Sequence, residues 1–169
     1  SAWNSPIVMV QKPDGSARFC CDLRGVNQVT RKDRYPMPLI AETLDRLAGN
    51  RYFSSLDLVG AFWQCPLAED SRDCTAFILG SKQWRYKRLP FGLCNAPAYF
   101  GRVMAKVLKG LEQITLAYAD DIMILGKSEE QHYANIDRVL GALEAAGMKI
   151  NAAKCRFMVQ EAKYLGHLV

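Results

Sequence analysis

The stretch that most restricts the fold is "ITLAYADDIMIL", residues 114–125. Two apolar, β-prone segments flank the adjacent carboxylates Asp120 and Asp121, and the whole reads as two buried strands set back to back. The pair itself has two readings. Asp is a common turn residue, so a hairpin turn is the simpler one. Yet a two-residue turn favours Asn-Gly or Asp-Gly, because both central residues take positive φ, and two bulky carboxylates there repel each other. Like charges so close raise one pKa or demand a counter-ion. A divalent cation removes the conflict, since hard oxygen ligands are what magnesium takes.

A third carboxylate lies in a similar setting. "RYFSSLDL" reads as a strand ending in Asp57, so Asp57, like Asp120, closes an apolar, β-prone segment. If the two segments are neighbours in one sheet, three carboxylates converge at its rim. Such a cluster suits two metal ions working on an in-line phosphoryl transfer.

The remaining segments supply a sheet and its cover. "PIVMVQKPDGSARFCCDL" predicts two strands around a Pro-Asp-Gly turn, and "TAFIL" with "QWRYKRL" another pair around Gly80. "MPLIAETLDRLAG" predicts a short helix with Ile40, Leu44 and Leu47 on one side and Gly49 at its end. A second helix is expected from near Pro97, with Phe100, Val103, Met104, Val107, Leu108 and Leu111 at helical spacing. The last opens with Ser128 three residues before Gln131, a capping-box spacing, buries Ile136, Val139, Leu140 and Leu143, and closes at Gly147. "CRFMV" and "AKYLGHLV" follow as strands. The expected fold is α+β, an antiparallel sheet with helices packed on one face.

Half of the 169 residues are hydrophobic, enough for one domain with a sizeable core. No run approaches the roughly 20 apolar residues of a membrane span, and no signal peptide opens the chain. Six cysteines without any C-x-x-C read as reduced core residues and point to a reducing compartment. Two histidines are too few to suggest a zinc site. The net charge of +5 gathers at Lys12, Arg18, Arg24, Arg31, Lys32 and Arg34, and again in "KQWRYKR". Both clusters suit a polyanion such as nucleic acid or a triphosphate, or equally a solvated face. The lack of an initial Met and the apolar ending "YLGHLV" read as a piece of a longer protein.

"YADD" resembles the Tyr-x-Asp-Asp signature of reverse transcriptases. "WNSPIVMVQKPDGSARFCCDLRGVN", "DRYPMPLI", "FSSLDLVGAFWQ", "TAFIL", "LPFGLCNAPAYF" and "KCRF…YLGH" occur in that family's order and spacing, and look most like gypsy-type long-terminal-repeat retrotransposons. The resemblance implies the fingers and palm of a right-hand polymerase, with fingers at about 1–50 and 66–95, palm at about 51–65 and 96–169, and the thumb outside the chain. It implies an RNA-directed DNA polymerase that uses two magnesium ions, or manganese in their place. The ligands would be Asp57 and Asp120, with Asp121 sharing that role and the Leu58 carbonyl as a backbone ligand. Lys12 and Arg18 match positions that clamp the incoming deoxynucleoside triphosphate. Phe62 matches the aromatic that excludes a ribose 2′-hydroxyl, with Trp63 beside it expected in the core. Phe91, Asn95 and Pro97 fall in the loop and helix start that contact template and nucleotide, and Lys154 matches a lysine suggested to protonate pyrophosphate. Partners would be an RNA or DNA template with its primer, and neighbouring protease, connection, RNase H and integrase domains of a Pol polyprotein. No membrane is expected; the setting would be cytoplasmic, in virus-like particles, with nuclear entry.

The sequence departs from the family pattern at Phe91, where retroviral relatives carry Gln, at Cys74, where Lys is common, and at Gly101, where Gln is common. These touch template and nucleotide contacts rather than metal ligands. The rival reading is a catalytically silent remnant that binds nucleic acid through its basic faces.

Overall fold

The structure, a computed structural model, describes residues 1–11, 15–36, 43, 45–118, 121–161, 163–164 and 167–168. Lys12 and Asp120 therefore lie outside the described residues, as do Ile40 and Leu44 of the first expected helix. The chain separates into two compact units, Ser1–Arg34 with Phe62–Pro97, and Tyr35–Ala61 with Ala98–Val169. The segment 35–50, expected with the first unit, groups with the second because Leu47 packs among Phe53, Leu116, Met123 and Leu125 of the sheet core. Conversely, 62–65 groups with the first unit, where Leu89 donates to the Cys65 carbonyl and Pro66 bridges Arg88.

In the first unit, β1 (Ile7–Gln11) pairs antiparallel with β2 (Ala17–Cys21), as the sequence predicts. α1 (Arg24–Val29) follows, burying Val26 against Cys21 and Leu23. After α2 (Glu69–Arg72), β4 (Phe77–Leu79) and β5 (Lys82–Trp84) form the second predicted pair. Gly80 turns the chain between them with φ +62°, a left-handed angle that costs glycine nothing. Strand β5 is shorter than expected, because beyond Trp84 the backbone turns to other partners: Tyr86 N–H donates to Thr75 Oγ1.

In the second unit, β3 (Tyr52–Asp57), β6 (Thr115–Tyr118), β7 (Asp121–Gly126) and β8 (Arg156–Val159) form one antiparallel sheet in the order β6-β7-β3-β8. β9 (Lys163–Tyr164) and β10 (His167–Leu168) make a short hairpin. The predicted helices appear as α3 (Ala96–Val107), which buries Phe100 and Met104, and α4 (Glu129–Ala145). Leu108 and Leu111 are buried as foreseen but lie past the end of α3. Ser128 caps α4 by accepting from Gln131 N–H at 3.3 Å. The reciprocal bond is displaced by one residue, because Gln131 Oε1 accepts from Lys127 N–H.

Period-2 alternation divides this sheet into two faces. Ser54, Leu56, Ile122 and Ile124 point one way, and α4 packs on β7 and β3. His132 of α4 is fully buried, its Nε2 2.7 Å from Ser54 Oγ, which also accepts from Met158 N–H. Met158 carries φ +56° where β8 bulges, the four residues Arg156–Val159 running opposite only three on β3. The Ser54 hydroxyl thus satisfies an N–H that the bulge removes from the ladder. Burial holds the His132 pKa below its usual value, so the ring is neutral at pH 7. Phe53, Ser55 and Asp57, with Asp121, Met123 and Leu125, point the other way. All six cysteines are free. No helix among the described residues is long and apolar enough to cross a membrane.

Candidate active site

The sheet register brings two of the three predicted carboxylates together. Asp57 ends β3 and Asp121 begins β7, and they are direct partners across the antiparallel ladder. Opposed residues share a face, with Cβ atoms roughly 5 Å apart. Asp121 is in turn the partner of Tyr118 on β6, so β6 and β7 are joined by residues 119–120, outside the described residues. The turn reading of the Asp120–Asp121 pair thus does not hold for Asp121, which is a strand residue. The ladder sets Asp121 opposite Asp57. Among the described residues no three carboxylate, His or Cys side chains form a metal-sized cluster.

The oxygens that remain fit a hard cation. Leu58 bridges Ile150, and the flanking bonds use Asn151 N–H to the Asp57 carbonyl at 2.8 Å and Val59 N–H to the Lys149 carbonyl. Neither of these bonds uses the Leu58 carbonyl, the proposed backbone ligand. The same Asp57 carbonyl anchors the turn 151–154, in which Lys154 N–H donates to the Asn151 carbonyl. The turn places Lys154 Nζ 3.9 Å from Asp57 Oδ2. With two-thirds of the lysine side chain exposed, water screens this pair and it adds little stability. Its consequence is positional: an exposed ammonium stands beside Asp57.

The first unit holds the other predicted residues. Phe62, in a 3₁₀ turn Ala61–Gln64, lies 5.2 Å from the Phe91 ring centroid at a tilt of 50°. Trp63, expected in the core, is half exposed and meets Phe91 edge-on at 5.6 Å. With three residues per turn, neighbouring side chains of a 3₁₀ turn point about a third of a turn apart, so Trp63 faces away from the side that buries Ala61. The Arg18 guanidinium stands over the Phe91 ring at 6.0 Å, at the limit of a cation–π contact. Phe91 thus joins three side chains through packing rather than through the hydrogen bonds that Gln would make. Its loop is pinned by a residue the sequence analysis missed: Asn27 Nδ2 donates to the Gly92 carbonyl and Oδ1 accepts from Cys94 N–H. No periodic pattern marks Asn27, since its partners come from a distant loop.

Asn95 has a comparable task. Its Nδ2 donates to the Arg31 carbonyl at 2.9 Å and its Oδ1 accepts from Asp33 N–H at 3.0 Å. Its amide thus braces the chain at 31–33. Pro97 is the second residue of α3, where its missing N–H costs nothing. The basic clusters are partly neutralised within the unit. Arg24 grips Asp22 in a bidentate pair that holds the Asp22 carboxyl down at about 2. Arg85 pairs with Glu69 and Asp73, and Lys32 Nζ donates to the Asn27 carbonyl. Arg31, Lys32, Asp33 and Arg34 line an open cavity of about 760 Å³.

Known proteins resemble this chain over its full length. A family model described as reverse transcriptase (RNA-dependent DNA polymerase) matches residues 10–169. The retrovirus-related Pol polyprotein of Drosophila melanogaster transposon 297 is 41% identical over 175 residues, covering 100% of this chain and 16% of that protein. That of transposon gypsy, from the same organism, is 37% identical over 176 residues, covering 100% of this chain and 17% of that protein. The chain therefore spans only about a sixth of such polyproteins. Among solved structures, foamy viral protease-reverse transcriptase in complex with double-stranded DNA superposes with a TM-score of 0.90 at 32% identity, covering 98% of this chain and 29% of that one. Its complex with an RNA/DNA hybrid gives 0.89 at 31% identity, covering 98% and 22%.

Proposed function

Since the chain belongs to the reverse transcriptase (RNA-dependent DNA polymerase) family, we propose that it adds deoxynucleotides to a primer 3′ end on an RNA or DNA template, as part of a retrotransposon Pol polyprotein. The observation that carries this reading is the in-register pairing of Asp57 with Asp121 at the end of a largely buried strand pair. Two like charges set side by side there have a role if cations lie between them. Asp57, Asp121 and Asp120, with the Leu58 carbonyl, would hold two magnesium ions, manganese serving in their place. Such ions, when bound, activate the primer 3′-hydroxyl and stabilise charge on the leaving pyrophosphate. Lys154, tethered beside Asp57, supplies a proton to the departing oxygen. Lys12 and Arg18 neutralise phosphate oxygens of the incoming nucleotide, Arg18 through its planar fork.

The test is primer extension by the polyprotein that contains these residues, given an RNA template, a DNA primer, deoxynucleotides and magnesium. Extension of the primer is the expected result. Tight binding of the primer–template without any extension would replace this reading with the silent remnant.

Phe62 is the residue proposed to select deoxynucleotides, by occupying the space a ribose 2′-hydroxyl needs. Phe62→Ala is expected to lower the preference for dNTP over rNTP by about tenfold or more, the scale on which apolar pockets discriminate. Single-nucleotide incorporation measures it. Because Phe62 also packs on Phe91, KM for the correct dNTP should rise as well. An unchanged dNTP/rNTP ratio removes the gate.

A further inference from the structure

Tyr164 is a buried group for which neither fold nor proposed chemistry accounts. Its side chain is 3% exposed and packs with Leu47, Phe53, Leu116, Met123 and Leu125. Among the described residues its hydroxyl has no hydrogen-bond partner. A Phe would fill the same space without burying an unpaired hydroxyl, so packing alone gives no reason for the oxygen.

The face on which Tyr164 lies supplies that reason. Leu116 and Tyr118 of β6, Met123 and Leu125 of β7, and Phe53 of β3 share one side of the sheet, and that side also carries Asp57 and Asp121. Tyr118, the ladder partner of Asp121, packs against the cluster that contains Tyr164. Of the charges acting on the hydroxyl, that of Asp121 is the largest, ahead of Arg46. At neutral pH a tyrosine hydroxyl carries its proton and can donate it in a hydrogen bond. Arg46 cannot receive that proton: a guanidinium has no acceptor, and this one already donates to the Thr115 carbonyl at 3.1 Å. A carboxylate is also a stronger acceptor than the Tyr118 phenol.

We propose that Tyr164 is a positioning residue for the acidic pair, its hydroxyl donating to the Asp121 carboxylate once divalent cations draw that carboxylate's other oxygen. This rests on the reading of Asp57 and Asp121 as cation ligands. Ligating carboxylates are commonly oriented by such outer hydrogen bonds, whose removal weakens metal binding ten- to a hundredfold.

The test is Mn²⁺ binding, followed by the electron paramagnetic resonance of the free ion, without nucleotide or primer. Tyr164→Phe is expected to raise the Kd for Mn²⁺ by about tenfold while leaving the melting temperature unchanged or higher. In an Asp121→Ala background the same substitution should change nothing further, because the acceptor is already gone. Asp57→Asn separates the two levels of inference. If Asp57→Asn weakens Mn²⁺ binding and Tyr164→Phe does not, the role of Tyr164 is overturned and the cation site stands. If neither substitution alters Mn²⁺ binding, the cation site itself is lost, and Tyr164 with it.

Discussion

Asp57→Asn is expected to lower primer extension by roughly a thousandfold, the equivalent of about 4 kcal/mol of transition-state stabilisation, which is what a displaced catalytic metal is worth. Binding of the primer–template should stay within about twofold, since affinity for a duplex comes mainly from phosphate contacts. The substitution suits the question because it keeps the side chain's size and removes its charge. The structure gives little reason for it to disturb the fold. The bond that ties residue 151 to position 57 uses the main-chain carbonyl, not the carboxylate. The ion pair with Lys154 is largely exposed and contributes little. Single-turnover extension and fluorescence anisotropy, run on the same preparation, separate the two effects. Near-normal extension by Asp57→Asn would sink the assignment of this carboxylate to chemistry.

The largest effect on stability should come from Gly126→Ala. A Cβ built at Gly126 would lie 2.5 Å from His132 Cβ, 2.7 Å from Nδ1 and 2.9 Å from the His132 Cα. These are main-chain and near-main-chain atoms of α4, so no side-chain rotation relieves them. His132 is itself fixed by Ser54, and the neighbouring Asn135 donates to the Leu125 carbonyl of β7. The helix must therefore move away from the strand. Overpacking of this kind costs about 3 kcal/mol, or roughly 10 °C in melting temperature for a chain of this size. Gly141→Ala provides the opposite sign within the same helix. Nothing lies within 4 Å of its added Cβ, and alanine in an exposed helical position stabilises by about 0.5–1 kcal/mol. Thermal denaturation of the two variants decides it, and equal melting temperatures would contradict the close approach of α4 to β7.

Much of this molecule was readable from its residues, and the particular elements say why. Strands β3, β6 and β7 follow local apolar content, and α4 follows a cap and a 3.6-residue stripe. Both signals live within about ten residues, so no distant partner is needed to read them. Asp57 and the Asp120–Asp121 pair stood out by the same local contrast, carboxylates ending runs that otherwise avoid water. The ordered motifs then placed the chain in its family, and the match over residues 10–169 agrees.

What no local pattern carries is pairing. A shift of one residue in the β3–β7 register would send Asp57 and Asp121 to opposite faces. That register is set by two apolar faces packing at once, one against α4 and one against Leu47 and Tyr164. The same holds for Asn27 and Asn95, whose work depends on loops far away in sequence, and for Trp63, which lost its place in the core to the geometry of a single turn. Residue types and their spacing were enough to name the elements, the acidic ends and the family, because short-range periodicity and turn chemistry encode them. Which carboxylate faces Asp57, which rings gather on Phe91, and how the Tyr164 hydroxyl comes to be buried were settled by long-range packing, which couples residues that sequence neighbours do not constrain.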